Sequence, residues 1–416
     1  MNYSFRLTFF TGLASVLLMA CSMADDASSQ DVKQAEPIVL TLKQSEKADA
    51  DNRFGFRMFR EVSALSQSPN AFFSPLSLNM ALGMLFNGAA GATQTEMAET
   101  LGMAGFTDTE INKYYQKMSQ ALLSIDPLTE ISIANSIWHR SGFSVKQPFI
   151  EVNKKYFDAE VQSLDFNKSD AADIINKWCA DKTKNRIKEI VKNPIGDDVM
   201  TYLFNALYFK SKWLFEFEKK NTKKDDFTTA GNRKIQANMM EQTATLPYYA
   251  DQHLLCVEMP YGNQAFSMVA VLPSDNMDID HLIEYLDNNA WQNIVKNLRE
   301  QKVWLKLPRF KIECDIPLVE PVKNVGMRLI FDPDRAEFPH ISTTPLFVSD
   351  AKQKTFVEVN EEGTEAAAVT VVVMTPTSIG PNTPVAFFAN RPFLYLIKEK
   401  STGVILFIGR MDEPVE

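Results

Sequence analysis

The chain has 416 residues, of which 45% are hydrophobic, and its formal net charge is −9 at neutral pH. The hydrophobic fraction is ordinary for a globular protein with a sizeable core, and the length suits one large domain. The negative charge argues against nucleic acid as a partner, because phosphate binding needs a basic surface. The four cysteines show no CxxC pair or metal-ligand spacing, and the three besides Cys21 are an odd number, which argues against a disulfide framework.

The first twenty residues are typical of an export signal. Arg6 precedes an apolar run at 7–20 that is too short to span a bilayer, and the run ends in Leu-Met-Ala before Cys21. That ending resembles a bacterial lipobox, in which the cysteine is acylated and becomes the mature N-terminus. An ordinary secretory signal that contains a cysteine is the alternative. We therefore predict Sec-dependent export, lipidation of Cys21, and a division into a signal peptide at 1–20, a polar tether at 21–50 and a folded domain at 51–416.

The domain is predicted to begin with helices and to continue with interspersed strands. Ser74 and Pro75 suit the cap and first turn of a buried helix, and Thr93 with Glu96 has the spacing of a capping box for the next one. Continuous apolar runs, typical of strands covered on both faces, occupy 265–273 and 391–399. The Lys-Ser-Thr-Gly stretch after the second run predicts a hairpin. These patterns together indicate an α+β domain.

No catalytic motif in the sequence is convincing. Ser349–Lys352 is an S-x-x-K and Ser274–Asn276 an S-D-N, but their order is reversed relative to penicillin-type acyl transfer and a K-T-G is missing. The histidines are scattered without H-E-x-x-H, and neither G-x-S-x-G nor a P-loop occurs. A basic cluster between Lys182 and Lys192 is either a polyanion site or, because acidic residues lie close by, a solvated helix face. We expect neither an enzyme nor a cofactor.

The segment 361–384 combines the features of a strand and of a loop. Residues 364–374 have few charges, no proline and strong β-propensity, and the prolines that follow favour an exposed loop. Glu365 would lie on one face of such a strand. The opposite face bears no charge, and its residues are Thr364, Ala366, Ala368, Thr370, Val372 and Met374. The segment therefore suits two states, an exposed loop and a buried sheet strand, and a plain buried strand is the alternative.

Six motifs resemble the serpin family, and they occur in family order over residues 51–414. The motifs are FFSPLS at 72–77, FNALYFKSKW at 204–213, VEMPYGNQAFSMVAVLP at 257–273, LPRFKIE at 307–313, EEGTEAAAVT at 361–370 and RPFLYLIKEKSTGVILFIGRMDEP at 391–414. The resemblance implies an α+β serpin fold with three β-sheets, eight or nine helices and an exposed reactive-centre loop at about 361–384. It also implies suicide inhibition, in which a protease cleaves the loop and the loop then inserts into the central sheet and distorts the trapped protease.

The resemblance implies roles for individual residues. The hinge of the loop comprises Glu361, Glu362, Gly363, Thr364, Glu365, Ala366, Ala367 and Ala368. Trp213 matches the tryptophan beneath the opening end of the central sheet, and Ser74, Ser77 and Asn205 match a polar cluster, the shutter, under its middle. The usual histidine of the shutter falls on Gln353. Because glutamine cannot become a cation near neutral pH, pH-linked opening through that position is not expected.

Family spacing from the hinge places the cleaved bond at Thr377–Ser378, and a shift of one or two residues stays open because the loop is about one residue longer than in similar relatives. Pro376 and the small Thr377 suit elastase-like proteases with narrow apolar pockets. The bond Met374–Thr375 is a secondary site for chymotrypsin-like or subtilisin-like enzymes. Serine proteases, and also cysteine proteases, are therefore the expected partners.

We predict a monomeric, lipid-anchored protease inhibitor of the cell envelope, at the periplasmic face of the outer membrane or on the cell surface. A non-inhibitory surface-binding lipoprotein with the serpin fold is the alternative. The hinge discriminates between these functions, because non-inhibitory relatives often carry charged or bulky residues at the inward-facing positions. The small residues at 364, 366 and 368 favour inhibition.

Overall fold

A computed structural model describes residues 33–66, 68–364 and 383–415. These residues contain nine α-helices, and none is long and apolar enough to cross a bilayer. The helices are α1 (Leu42–Leu65), α2 (Pro75–Phe86), α3 (Gly91–Thr100), α4 (Asp108–Ser124), α5 (Gln147–Phe157), α6 (Ala171–Lys182), α7 (Ile279–Tyr285), α8 (Asn288–Asn297) and α9 (Val319–Asn324). The strands are β1 (Ala71–Phe73), β2 (Glu130–Arg140), β3 (Glu160–Leu164), β4 (Thr201–Lys212), β5 (Lys223–Thr228), β6 (Lys234–Ala250), β7 (Leu254–Pro260), β8 (Phe266–Pro273), β9 (Arg299–Pro308), β10 (Phe310–Pro317), β11 (Lys352–Asn360), β12 (Gly363–Thr364), β13 (Val385–Phe388), β14 (Phe393–Glu399) and β15 (Ile405–Met411).

The larger sheet has the strand order β1-β15-β14-β8-β7-β6-β9-β13, and β5 pairs with β6. β8 and β14 lie near its middle and every residue of both is buried, as their continuous apolar sequences predict. The predicted hairpin is β14–β15. The long strand β6 pairs with β9 over most of its length and with β7 only at its end. Two of the three implied sheets are therefore continuous through β6, and the predicted α+β class is confirmed.

The smaller sheet has the order β10-β11-β12-β4-β2-β3. Its members are antiparallel except for the edge pair β2–β3. The two-residue strand β12 lies between β11 and β4, which are much longer. Among the strands that the structure describes, β4 and β11 are therefore bridged at one end only, and this end positions the candidate site.

Two hydrophobic clusters cover the two faces of the smaller sheet. The main core joins α1, α2 and α4 to the larger sheet and to the inner face of the smaller one. A second cluster packs α6 and the segment 187–195 against the outer face, where Trp178 meets Trp138 edge-on with ring centroids 6.3 Å apart. The space between β4 and β11 thus lies between α2 on the inside and α6 on the outside.

The starts of α2 and α3 are stabilised in different ways. The predicted cap of α2 is confirmed, since the Ser74 hydroxyl accepts a hydrogen bond from the Ser77 amide at 3.2 Å. The predicted capping box of α3 is wrong, because that helix begins at Gly91. The carboxylate of Glu337 accepts from the Ala92 amide at 2.6 Å, so a residue distant in sequence satisfies the first turn.

The folded body starts earlier than the predicted boundary at residue 51. α1 begins at Leu42 with a capping box between Thr41 and Gln44, and upstream the Ala35 amide donates to the Asn263 carbonyl at 3.0 Å. Lys47 is fully buried, where it pairs with Asp51 one turn later. The polar sequence of 41–50 predicts exposure, so it gave no sign of this burial. A charge inside a protein is stabilised only by a partner, and here the fold supplies that partner.

We expect the buried Lys47–Asp51 pair to be costly to break. Replacing Lys47 by Met leaves the Asp51 carboxylate buried with only the Tyr115 hydroxyl at 3.1 Å on its Oδ1 atom. The free energy of unfolding should fall by about 3–5 kcal/mol. The double variant Lys47→Met/Asp51→Leu should recover most of that loss, because a well-packed apolar pair replaces a buried ion pair with little penalty. Urea unfolding of the three proteins measures both effects, and equal stability of the single variant and the parent would contradict the expectation.

The basic cluster is not a single helix face. α6 ends at Lys182, and the chain then turns through Lys184 and Asn185, both with positive φ. Lys182 pairs with Glu160 at 2.5 Å and Lys184 with Glu130 at 2.9 Å. These cations therefore join the end of α6 to the smaller sheet, which disfavours a polyanion site at those two residues.

The three described cysteines are buried and unpaired. Burial raises the pKa of the Cys179 thiol to about 12 and that of the Cys314 thiol to about 11. Thiols in this state are protonated at neutral pH and react slowly. The described residues also include no cluster of His, Cys, Asp or Glu that could hold a metal ion.

Candidate functional site

The candidate site is the end of the smaller sheet where the short strand β12 lies between β4 and β11. Gly363 and Thr364 pair with Lys212 and Ser211 of β4 on one side, and with Asn360 and Val359 of β11 on the other. Among the described strands, β4 and β11 are linked only through these two residues. The beginning of the predicted hinge is therefore already a member of the sheet.

Below β12, a cavity of about 60 Å³ lies between β4 and β11. Its walls include residues 203–207 of β4, residues 352–355 of β11, part of α2 on the inner side, and Cys179 of α6 with Ile187 on the outer side. Within the described ranges, no strand fills the space between β4 and β11 beyond β12, and the edges of two separated strands can each pair with a further one. The geometry is suited to accept a further strand.

Thr364 points into the core and is 2% exposed. Its hydroxyl lies 2.5 Å from the hydroxyl of Tyr261, which stacks on Trp213 with ring centroids 4.4 Å apart. Burial raises the pKa of the Tyr261 phenol, so the hydroxyl stays protonated and can act as donor. This position accommodates a small hydroxyl side chain beside two stacked aromatic rings.

Trp213 connects the hinge to the end of β4. Its indole Nε1 donates to the Asn360 carbonyl at 2.9 Å, and its backbone amide donates to the Glu362 carbonyl at 2.9 Å. The tryptophan therefore bonds to the chain on both sides of the turn between β11 and β12. The structure brings this predicted residue into direct contact with the hinge.

Two acidic hinge residues have partners that the sequence reading missed. Glu361 is buried and accepts from the Thr222 hydroxyl at 2.7 Å, while its other oxygen lies 3.7 Å from Arg309 Nε. Glu362 pairs with Lys219 at 2.6 Å, and this hydrogen bond and charge raise the pKa of the lysine. The Lys219–Thr222 stretch showed no pattern of its own, because its role depends on a contact about 140 residues away.

The four shutter residues all line the cavity. Gln353 bridges β11 to the start of α2, since its Oε1 accepts from the Ser74 amide at 2.7 Å and its Nε2 donates to the Ser74 carbonyl at 3.0 Å. The Ser77 hydroxyl donates to the Asn205 carbonyl at 3.3 Å. The Asn205 amide donates to Asn135 at 2.7 Å, and within the described part of the chain its Oδ1 atom has no hydrogen-bond partner.

The family model described as serpin (serine protease inhibitor) matches residues 49–414. This chain belongs to the serpin family. Iripin-2 of Ixodes ricinus is 34% identical over 89% of this chain and 94% of its own length, and human neuroserpin is 33% identical over 89% and 92%. The native-state crystal structure of tengpin, a thermophilic serpin, superposes with a TM-score of 0.81 at 29% identity, over 91% of this chain and 97% of that one.

Part of the predicted site of this serpin lies outside the described residues. It comprises Cys21, the hinge residues Glu365, Ala366, Ala367 and Ala368, and the two candidate bonds formed by Thr377, Ser378, Met374 and Thr375. The roles of these residues remain predictions. The described hinge residues, Trp213 and the shutter residues form two groups, one at β12 and one at the cavity.

Gly363 is the hinge position where backbone packing demands glycine. A Cβ atom there would lie 2.1 Å from the Ser211 carbonyl oxygen and 2.7 Å from the Lys212 Cα, and φ is +155°. We therefore expect Gly363→Ala to displace β12 and to lower the free energy of unfolding by about 2 kcal/mol or more. Urea unfolding followed by tryptophan fluorescence measures the change. Gly231→Ala is the matched control, because a Cβ there meets only Thr229 Oγ1 at 4.0 Å, and equal midpoints for the two variants would contradict the expectation.

We expect Gln353→His to make the stability of this serpin depend on pH. A neutral imidazole can accept from the Ser74 amide as Gln353 does, whereas a protonated ring cannot. The folded state would then hold the ring neutral, its pKa would lie below the unfolded value of about 6.5, and stability would be lost as the pH falls below that value. Melting temperatures between pH 5 and 8 measure this loss relative to the parent, and parallel profiles would contradict it.

Proposed function

We propose that this serpin inhibits serine proteases as a suicide substrate whose cleaved loop inserts between β4 and β11. The observation that supports the proposal is that Gly363 and Thr364 already pair with both strands at one end of the gap. Strand pairing has therefore already begun, and each further inserted residue would extend the existing backbone hydrogen bonds to β4 and β11.

The register of β12 defines where each inserted residue would lie. Continuing it places residue 366 opposite 209 and 357, residue 368 opposite 207 and 355, and residue 370 opposite Asn205 and Gln353. β4 is long enough for inserted residues up to 374, which is the end of the predicted strand. In this arrangement the Thr370 hydroxyl would reach the shutter, where Asn205 Oδ1 can accept its hydrogen bond.

The inhibitory step follows from ordinary serine-protease chemistry. The protease serine attacks the Thr377 carbonyl, the peptide bond to Ser378 breaks, and the new amino terminus leaves. The protease stays attached through an ester to the part of the loop that inserts. Movement of that ester distorts the oxyanion hole and the triad, which depend on close positioning, so hydrolysis of the ester stops.

We propose the class of target protease from the residues beside the Thr377–Ser378 bond. Thr377 presents a small side chain and Pro376 precedes it. Elastase-like enzymes have narrow apolar pockets that accept such residues, whereas a trypsin-like pocket needs a cation. Cleavage after Met374 by chymotrypsin-like or subtilisin-like proteases is the secondary route, and cysteine proteases would form the corresponding thioester.

Incubation of the domain with elastase, followed by a denaturing gel and mass spectrometry, tests the proposal. We expect a covalent complex of the two proteins and a released peptide that begins at Ser378. Complete cleavage of the loop without a complex would contradict inhibition and would favour the non-inhibitory alternative. Cleavage only at sites outside 374–378 would contradict the assigned bond.

We further propose that the protein acts at a membrane through acylated Cys21. The lipobox-like residues before Cys21 and the polar residues after it support this proposal. Globomycin-sensitive processing and incorporation of labelled palmitate test it, with Cys21→Ser as the control. Export of the parent without palmitate label would contradict the anchor and leave the inhibitory mechanism untouched.

A further inference from the structure

The outer face of the larger sheet carries an aromatic pair, Trp304 in β9 and Phe388 in β13, which we call the Trp304 patch. Trp304 is 39% exposed, whereas each of the other four tryptophans of the chain is at most 7% exposed. The neighbours Val303 and Leu305 point inward and are fully buried. Core packing therefore accounts for the alternate residues of β9 but not for a tryptophan on the solvent side.

Neighbouring side chains hold the Trp304 patch in one arrangement. The indole Nε1 donates to Glu241 Oε1 at 2.7 Å, and the ring meets Phe388 edge-on with centroids 4.9 Å apart. Lys306 Nζ lies 5.5 Å from the centroid of the Phe388 ring and binds Asp225 at 2.8 Å. An aromatic surface fixed before binding loses little conformational entropy on contact, and tryptophan is among the residues that contribute most at interfaces.

The patch lies at the return end of the reactive-centre loop. Phe388 ends β13, the edge strand through which the chain re-enters the sheet beside β9. Val385 lies seven positions after Ser378 in the sequence, a separation that spans at most about 25 Å. A protease domain of ordinary size is about 45 Å across, so an enzyme bound at the loop reaches the surface around β13.

We propose that the Trp304 patch is a secondary contact surface for the protease that cleaves the loop, on the side that follows the bond. The partner would present an apolar depression beside its cleft to the indole. This inference rests on the proposed function for the identity of the partner. This contact would speed the encounter of protease and inhibitor and tighten their initial binding. It would not affect insertion of the loop after cleavage.

Cleavage kinetics in the Thr364→Arg background test this proposal, because the loop should then be cut as a simple substrate whether or not the parent inhibits. Trp304→Thr keeps β-propensity on an exposed strand. We expect it to lower kcat/KM for loop cleavage by elastase about 5- to 30-fold, the range for loss of a strong interface residue. Trp304→Phe should lose less, and Phe347→Ser, which removes another exposed aromatic residue, should lose nothing.

The outcomes separate the two proposals. Equal kcat/KM for Trp304→Thr and Phe347→Ser overturns the contact surface, even if the parent forms covalent complexes. If the parent is cleaved without forming a complex, the inhibition proposal is contradicted, but kcat/KM for loop cleavage can still be compared between the variants. A monomer–dimer equilibrium that disappears in Trp304→Thr assigns the patch to a second copy of the chain and also overturns the proposal. Equal melting curves for the Trp304→Thr variant and its parent exclude an effect of misfolding.

Discussion

Cleavage of the reactive-centre loop is expected to raise the melting temperature of this serpin by about 20 °C. Residues 365–374 would gain backbone hydrogen bonds to β4, and those up to 371 also to β11, each contributing about 1 kcal/mol net. Burial of the valines and Met374 adds about 1.5–3 kcal/mol per side chain. Ordering the backbone opposes this by about 1–2 kcal/mol per residue, which leaves a gain of roughly 10–15 kcal/mol. In a domain of this size, 1 kcal/mol shifts the melting temperature by about 1–2 °C.

Scanning calorimetry of the intact and cleaved chains measures this shift. Cleavage within 374–378 is first verified by mass spectrometry, so that the two samples differ by one bond. The cleaved Thr364→Arg variant is the control, because a hinge that does not insert should show no comparable rise. Equal melting temperatures for the intact and cleaved parent would mean that the gap between β4 and β11 is not a site of insertion.

Thr364→Arg is expected to convert the inhibitor into a substrate. Thr364 is 2% exposed, and its hydroxyl lies 2.5 Å from the Tyr261 hydroxyl in a site walled by aromatic rings. An arginine there would place a long cationic side chain in a buried site filled by aromatic rings, which costs several kcal/mol or expels the hinge. Insertion then becomes slower than hydrolysis of the acyl-enzyme. The number of inhibitor molecules consumed per protease should rise at least tenfold, as measured by titration against elastase.

Glu365→Arg is the matched control for this variant. It places the same side chain one position further along, on the predicted outward face of the strand, so insertion buries no cation. Titration should give a stoichiometry close to that of the parent. If the two variants behave alike, the assignment of Thr364 to the inward face is wrong.

The sequence motifs identified the serpin family because their order and spacing extend over almost the whole domain. Local patterns also predicted the Ser74 cap, the fully buried strands β8 and β14 and the hairpin after β14, since each depends on residues close together in the chain. Predictions that required distant partners failed. The cap of α3 comes from Glu337, and α1 extends into the predicted tether because its charged residues are paired inside the core.

The candidate site shows the same division. The uncharged face and strong β-propensity of 364–374, with the prolines that follow, were sufficient to predict a segment suited to both loop and strand. Family spacing named its hinge, Trp213 and the shutter. Only the tertiary structure decided that Gly363 and Thr364 already lie between β4 and β11, and that Glu361 and Glu362 bind Thr222 and Lys219. The physical reason is that periodicity and propensity act over a few residues, whereas contacts between distant segments depend on how the whole chain packs.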